Sequence, residues 1–203
     1  VGDVVNNALL SFDRSDAYTF AGNISGAGAL QQLGTGTLVL TGDNTFTGPT
    51  TVNAGYLDVR GNYASTIYNN TGVQSTVASN TSGNVAFTAP IVGNVQFEQN
   101  GTGVTTLSGA STYTGATIVN AGTLIVGNSL NGTQSVDVNA GGTFNVADGA
   151  SLTTPGNVTV VGTANVSNST NNPGVFVANG TVDAGAVVIQ QGGVLMGTGT
   201  IVG

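Results

Sequence analysis

Carboxylates have the widest chemical scope of any side chain in this sequence, because it contains no histidine and no cysteine. That composition excludes a Ser-His-Asp triad, a Cys-His pair and an ordinary zinc site. Two acids about 5 to 10 Å apart could still hydrolyse a glycosidic bond. The nearest pair along the chain is Asp13 and Asp16, in S-F-D-R-S-D. We interpret this segment as a turn before a strand, in which the acids bond local backbone and pair with Arg14.

The other aspartates are scattered at one per structural unit or fewer: Asp43, Asp58, Asp137, Asp148 and Asp183. Two of them, Asp43 and Asp58, are replaced by Ala110 and Ile125 in a second copy of the surrounding sequence. Such replacement is typical of exposed positions that no reaction constrains. No calcium-binding G-G-x-G-x-D motif is present either. The sequence therefore predicts no enzyme and no catalytic, cofactor or metal site.

Two tyrosines are the candidate binding residues. Tyr63 and Tyr68 lie in the segment Arg60–Asn84, which breaks the repeat pattern of the rest of the chain. This segment could be a protruding loop, a solvated linker or a coil with longer turns. Exposed tyrosines on a rigid scaffold can stack on sugar rings or anchor a protein contact.

A 26-residue segment occurs twice at an offset of 67, and this repeat must position any functional side chain. The copies run from Gly34 to Val59 and from Gly101 to Val126, and they agree at 15 of 26 positions without a gap. Self-similarity of this kind is typical of solenoids, in which each repeat stacks on its neighbours.

The motif V-N-A-G-x-L-x-V sets the length of the elementary unit. It begins at Val52 and Val119, and a variant with one extra glycine begins at Val138. The last two copies predict a unit of about 20 residues, so the offset of 67 corresponds to three units. Apolar residues alternate within each copy, as at Leu57 and Val59, which indicates a strand with one buried face.

Short strands and glycine-marked corners predict an all-β fold, a parallel β-helix of about nine coils formed as one segment over residues 1–203. A β-sandwich also has many short strands, but those strands have no reason to share one motif. Stacked coils place equivalent residues over one another. We therefore expect Asn53, Asn120 and Asn139 at one corner, in the αL conformation or as a ladder of side chains.

The charge balance disfavours polyanionic partners. The net charge is −7, with two arginines and no lysine, which argues against nucleic acid and anionic membrane surfaces. Binding would depend on Asn, Thr and Ser groups, on shape or on aromatic faces.

Two stretches match a known repeat: T-L-V-L-T-G-D-N-T-F-T-G at Thr37 to Gly48, and T-L-S-G-A-S-T-Y-T-G at Thr106 to Gly115. Each is followed by V-N-A-G-x-L, and together they resemble the passenger-associated repeat of bacterial autotransporters. The resemblance implies a right-handed parallel β-helix at the bacterial surface or secreted, exported by type V secretion. It also implies a C-terminal outer-membrane barrel in the parent chain. Because the sequence shows no starting Met, signal segment or barrel strands, we expect an excised piece of a longer passenger domain.

Two functions fit these observations. In the first, the chain is a structural stalk that supports secretion and display of a flanking functional region. In the second, it is an adhesin segment that binds a host-cell or matrix molecule, or associates with other copies of itself.

Overall fold

The computed structural model describes residues 2–162 and 174–203, and all regular structure in these residues is β-strand. Every strand pair there runs parallel. The chain winds around three faces, and strands between the two ends of the solenoid bond to the coil below and the coil above. This confirms the predicted parallel β-helix of about nine coils, and it excludes a sandwich of antiparallel sheets.

In chain order the strands are β1 (Val4–Val5), β2 (Leu9–Phe12), β3 (Tyr18–Phe20), β4 (Ile24–Ser25), β5 (Ala29–Gln32), β6 (Thr37–Leu40), β7 (Thr50–Val52), β8 (Tyr56–Val59), β9 (Ile67–Asn69), β10 (Ser75–Ser79), β11 (Asn84–Phe87), β12 (Ile91–Gly93), β13 (Val95–Gln99), β14 (Val104–Leu107), β15 (Thr112–Tyr113), β16 (Thr117–Val119), β17 (Gly122–Val126), β18 (Ser129–Asn131), β19 (Val136–Val138), β20 (Gly142–Val146), β21 (Ser151–Val160), β22 (Val175–Ala178), β23 (Thr181–Ile189), β24 (Val194–Met196) and β25 (Thr200–Val202).

The first face contains β2, β5, β7, β9, β12, β15, β18 and β25. The second face contains β3, β6, β8, β10, β13, β16 and β19. The third face contains β1, β4, β11, β14, β17, β20, β22 and β24. The long strands β21 and β23 run across the first and second faces. We name each corner by the two faces that it joins, so that corner 1–2 lies between the first and second faces.

Alternating side chains build the core. On the second face, Leu38, Leu57, Val77 and Phe97 are directly stacked and fully enclosed. Their neighbours along each strand point outward, as the period of two requires. Each large apolar side chain buried in this way contributes about 1.5–3 kcal/mol.

Aromatic rings extend the core along the axis. Contacts join Phe46 to Tyr63, Tyr63 to Phe87, Phe87 to Phe97 and Phe97 to Tyr113, with ring centroids 5.6, 6.0, 5.6 and 6.3 Å apart. These separations lie within the range of about 4.5–7 Å in which aromatic rings attract each other in edge-on or tilted arrangements. In the part of the chain that is described, no helix is long and apolar enough to cross a membrane.

Candidate functional site

Asp13 and Asp16 lie in the turn between β2 and β3. Arg14 donates from Nε and Nη2 to the two carboxylate oxygens of Asp16, at 2.8 and 2.7 Å. This hydrogen bond lowers the pKa of Asp16 below its usual range. The predicted turn and the pairing of Asp16 with Arg14 are confirmed, whereas no side-chain bond of Asp13 occurs among the described residues. A carboxylate that is held ionised by arginine is a poor proton donor.

The segment Arg60–Asn84 forms part of the coils. Tyr63 bridges Asn44 and Phe87 on the third face. Further along the segment, β9 and β10 pair with strands both below and above them. The turn over residues 70–74 joins them. The interpretation as a coil with longer turns agrees with this pairing. A protruding loop over residues 60–84 does not, because both strands bond to neighbours on two sides.

The two candidate tyrosines have opposite environments. Tyr63 is 0% exposed, and its hydroxyl is hydrogen-bonded to Thr50 Oγ1 at 2.6 Å. Burial raises the pKa of Tyr63 above its usual range. The structure therefore corrects the expectation for Tyr63, because no part of its side chain can reach a partner. Tyr68 lies on the outer side of the first face between Thr51 and Val92, and it is half-buried.

Three acids share one outward row of the second face. Asp58 and Glu98 are separated by the coil of Ala78, and Glu98 and Asp137 by the coil of Ile118. Acids two coils apart are roughly 10 Å apart along the axis. In residues 2–162 and 174–203, no three His, Cys, Asp or Glu side chains are grouped to hold a metal ion.

The two copies of the repeat form the same structure on different faces. In the first copy β7 lies on the first face and β8 on the second. The corresponding β16 and β17 lie on the second and third faces. The offset of 67 residues is therefore three coils plus one face, and the expectation of three whole coils is wrong. Coil length is the reason: the three coils from Thr51 through Tyr68 and Val92 to Thr112 take 112 − 51 = 61 residues, and the remaining six reach Ile118 on the next face.

Each copy builds two successive layers of a single corner. In the first copy, the turn Gly34–Gly36 lies beneath Asn53–Gly55 at corner 1–2. In the second copy, Gly101–Gly103 lies beneath Asn120–Gly122 at corner 2–3. We call this two-layer unit the corner module.

A buried glutamine supports the lower layer of each corner module. Gln32 and Gln99 each donate from Nε2 to two glycine carbonyls of the following turn, at 3.1 and 3.2 Å in the first copy and at 2.8 and 3.4 Å in the second. The Oε1 atom of both glutamines has no hydrogen-bond partner among the described residues. Sequence reasoning missed this pair because the alignment began at Gly34 and Gly101. Extending it two residues upstream finds it.

The glycine of V-N-A-G requires a backbone that other residues rarely adopt. Gly55, Gly122 and Gly141 have φ of 72°, 61° and 90°. A Cβ at Gly55 or Gly122 would also overlap carbonyl oxygens of the turn beneath. Glycine meets both requirements because it has no Cβ.

The motif asparagines occupy two corners. Asn139 Nδ2 donates to Asn120 Oδ1, and Asn120 Nδ2 donates to Asn100 Oδ1, both at 2.6 Å. The predicted ladder is therefore present at corner 2–3. The expectation that Asn53 shares this corner is wrong, because Asn53 follows β7 and lies at corner 1–2. No side-chain hydrogen bond of Asn53 occurs in the described part of the chain.

Buried hydroxyl groups also recur in both modules. Thr117 Oγ1 is bonded to the hydroxyls of Tyr113 and Thr133, at 2.7 and 2.9 Å. Thr50 holds the same position in the first copy, where Tyr63 and Ser65 lie 2.6 and 2.9 Å away. Tyr113 comes from the same coil as Thr117, whereas Tyr63 comes from the coil after Thr50. The equivalent threonines of the two copies therefore receive their tyrosine hydrogen bond from different coils.

Comparison with known proteins agrees with this architecture. A family model described as the Passenger-associated-transport-repeat matches residues 30–59 and 97–126, which contain both corner modules and both glutamines. The "Adhesin BmaC autotransporter" of Brucella suis biovar 1 (strain 1330) is 35% identical over 152 residues. That alignment covers 58% of this chain, and the chain spans 4% of the relative's length. No solved structure matches.

The repeat, the fold and the similarity to the Brucella suis adhesin all indicate an exported protein. Such a protein is located at the bacterial cell surface or secreted. The chain contains two passenger-associated transport repeats and resembles the passenger β-helix of a bacterial autotransporter.

Proposed function

We propose that the chain is a stalk segment that supports the secretion and display of a flanking functional region. The observation that carries this proposal is the stack of coils formed by residues 2–162 and 174–203. Buried side chains from Phe20 to Ala184 form one core, and bonded strands join each coil to the next. About nine coils at about 4.8 Å each give a rod of roughly 45 Å. Such a rod holds its two ends at a fixed separation.

Secretion is the second part of the proposal. Each coil of a solenoid contacts only its neighbours, so folding can begin in one coil and spread to the next. The chain contains no cysteine, so no disulfide hinders passage of an unfolded chain through a pore. Coil-by-coil folding outside the membrane would oppose backward movement of the chain.

The proposal includes no catalytic activity. The acids of the second face lie two coils apart, roughly 10 Å along the axis, which is at the upper limit of the spacing of about 5 to 10 Å used by glycosidases. Asp58 is also paired with Arg60 at 2.8 Å.

The test of a stalk is whether the purified chain is a rigid rod. Small-angle X-ray scattering should give a particle roughly 45 Å long, and hydrogen exchange should show protected amides on all three faces. An expanded and flexible chain would contradict the proposal.

Display can be tested in the parent passenger with a matched pair of substitutions. Leu124→Asp places a charge in the core, whereas Thr123→Asp places it at a partly exposed position of the same strand. We expect the first to reduce surface display strongly and the second to leave it near wild type. Equal display of the two variants would show that coil folding does not support secretion.

An adhesin segment is the second candidate, because the relative from Brucella suis is named an adhesin. Its partner would be a host-cell or matrix molecule, or another copy of the chain. Saturable binding of the purified chain to cultured host cells, or concentration-dependent self-association, would favour this candidate over a stalk alone.

A further inference from the structure

A polar cluster crosses three coils of the second face. Tyr56 and Asp58 both point outward from β8. The row of Tyr56 continues through Thr76 to Gln96, and the row of Asp58 continues through Ala78 to Glu98, two coils away. The Tyr56 hydroxyl donates to Glu98 Oε2 at 3.1 Å. Because two coils span roughly 10 Å, the phenol ring must lie across the intervening coil.

Burial beneath the ring supports this geometry. Ala78 is 0% exposed and Asp58 is 2% exposed, although both side chains point away from the core. Tyr56 itself is only partly buried. A side chain that reaches from β8 to Glu98 crosses the coil of Thr76 and Ala78, and the partial burial of Tyr56 leaves the rest of its surface open to solvent. The small methyl group of Ala78 leaves room for the ring to lie flat.

Planar polar groups hold the far edge of the ring. Asn100 Nδ2 donates to the Tyr56 hydroxyl at 3.0 Å and to Glu98 Oε2 at 2.9 Å. Gln96 Nε2 donates to Glu98 Oε1 at 2.7 Å. Burial, above all, raises the pKa of Tyr56 to about 12, so the phenol is neutral at physiological pH. The ring and the carboxylate are thus fixed before any partner arrives.

An ion pair borders the near edge. Arg60 donates from Nε to Asp58 Oδ2 at 2.8 Å, and the side chain of Arg60 is 43% exposed. The backbone N–H of Asn80 donates to Asp58 Oδ1 at 3.2 Å. Asp58 is therefore satisfied, whereas the exposed guanidinium can donate to a further acceptor.

Coil stacking does not require these residues. In the second copy of the repeat, Thr123, Ile125 and Gly127 stand where the first has Tyr56, Asp58 and Arg60, and strand β17 pairs on both sides without them. The whole chain has only two arginines and nine acids, and three of these charges are gathered here. A role in recognition accounts for that concentration.

We propose that the open face of Tyr56 binds an uncharged sugar ring of a glycan. The C–H groups of a pyranose can pack on an aromatic face, and its hydroxyls can both donate and accept. Around the ring, the Glu98 carboxylate and the amide oxygen of Gln96 accept, and the Arg60 guanidinium donates. An anionic glycan is disfavoured because two carboxylates face a single arginine that is already paired.

This inference goes beyond the stalk role, because a rigid rod can also present a binding patch. A flat platform without a pocket encloses little of its ligand, so affinity for one site should be weak. Several copies displayed on one surface would raise the avidity without new contacts.

The test uses the purified chain and a panel of neutral trisaccharides built from glucose, galactose and N-acetylglucosamine, with a heparin oligosaccharide as the anionic probe. Amide chemical shifts are recorded by NMR during titration. We expect at least one neutral trisaccharide to give saturable shifts confined to residues 56–60, 76–80 and 96–100. No saturable shift with any neutral probe, shifts elsewhere, or a response to heparin alone would overturn the proposal.

Four variants separate the platform from the scaffold. Tyr56→Thr introduces the residue of the second repeat copy, and binding should weaken at least tenfold. Tyr56→Phe retains the ring and should bind within about threefold of wild type. Glu98→Gln should weaken binding several-fold, because an amide replaces an acceptor pair. Gln31→Ala on the outer side of the first face should change nothing.

Circular dichroism of each variant checks folding. If Tyr56→Thr does not fold, Glu98→Gln and Tyr56→Phe decide the matter. Wild-type binding by folded Tyr56→Thr, or by Glu98→Gln when that variant must decide, would overturn the proposal.

Discussion

The two copies of the repeat have the same local structure but lie at different corners of the solenoid. Each has a buried glutamine beneath a glycine turn, a V-N-A-G turn above it and a buried threonine beside it. One copy forms corner 1–2 and the other forms corner 2–3. The comparison teaches that the repeat specifies the shape of a corner and leaves open which faces the corner joins.

What differs between the copies is set by the coils above and below the motif. Thr71 lies over Asn53 and donates from Oγ1 to its backbone carbonyl at 3.0 Å. Asn139 lies over Asn120 and extends the amide ladder. Asn120 also donates to Asn100 beneath it, where the first copy has Leu33. The same residue therefore has different partners because the residues above and below it differ.

The largest expected effect comes from the V-N-A-G glycines. Gly55→Ala and Gly122→Ala each combine a strained φ with overlap onto the turn beneath. We expect each to lower the unfolding free energy, measured by urea titration, by about 3 kcal/mol or more.

Gly149→Ala is the matched control for these glycines. Gly149 has a φ of 74°, but a Cβ added there would meet no heavy atom within 4 Å, so only backbone strain of about 1–2 kcal/mol applies. If Gly55→Ala and Gly122→Ala lowered the unfolding free energy by very different amounts, the two corner modules would not be equivalent.

The buried glutamines should give the next largest effect. Gln32→Leu and Gln99→Leu each remove two hydrogen bonds to turn carbonyls, but they also remove an unpaired Oε1. The net loss should be about 1–2 kcal/mol in either copy. Similar urea midpoints for the two variants would support one shared module, and loss at only one site would contradict it.

The buried tyrosines test the two routes to the threonine hydroxyl. Tyr63→Phe and Tyr113→Phe should each cost about 1 kcal/mol near neutral pH, because a buried hydrogen bond is lost. Agreement would show that a tyrosine from a neighbouring coil serves as well as one from the same coil. A cost confined to Tyr113 would show that the route matters.

Alkaline pH sharpens this test. Burial raises the pKa of both phenols above their usual range, so the native state retains protons that the unfolded state loses above about pH 10. The stabilisation is complete below that pH and is lost as pH rises through the native pKa. The urea midpoint of the wild type should therefore fall above about pH 10, and that of the double Phe variant should fall less. Parallel curves would contradict the assignment.

The smallest effect distinguishes the two asparagines. Asn120→Ala breaks two ladder bonds and should cost about 0.5–1 kcal/mol. Asn53→Ala removes no side-chain bond of the described structure and should be near neutral. Thermal melts of the two variants provide the comparison. An equal loss of stability would mean that the contribution of the asparagine depends on the motif and not on the corner where it lies.

The sequence predicted the architecture because alternating apolar residues and a recurring corner motif are local signals. The position of each copy was not predictable, because the turn of residues 70–74 lengthens one coil and no local pattern fixes that length. The burial of Tyr63 depends on bridges to Asn44 and Phe87, which are distant in sequence.

The same limit applies to the platform on the second face. Tyr56 and Glu98 are 42 residues apart, and neither belongs to a recognisable motif. Only the stacking of coils brings them together.

The placement of the modules has a consequence for how such a solenoid can grow. A duplication of 67 residues advances the rod by roughly 16 Å and turns it by roughly one third of a revolution. Successive duplications would place the same motif at each of the three corners in turn before it returned to the first. A solenoid that grows in this way presents its repeat motifs around the whole circumference of the rod and not along one side.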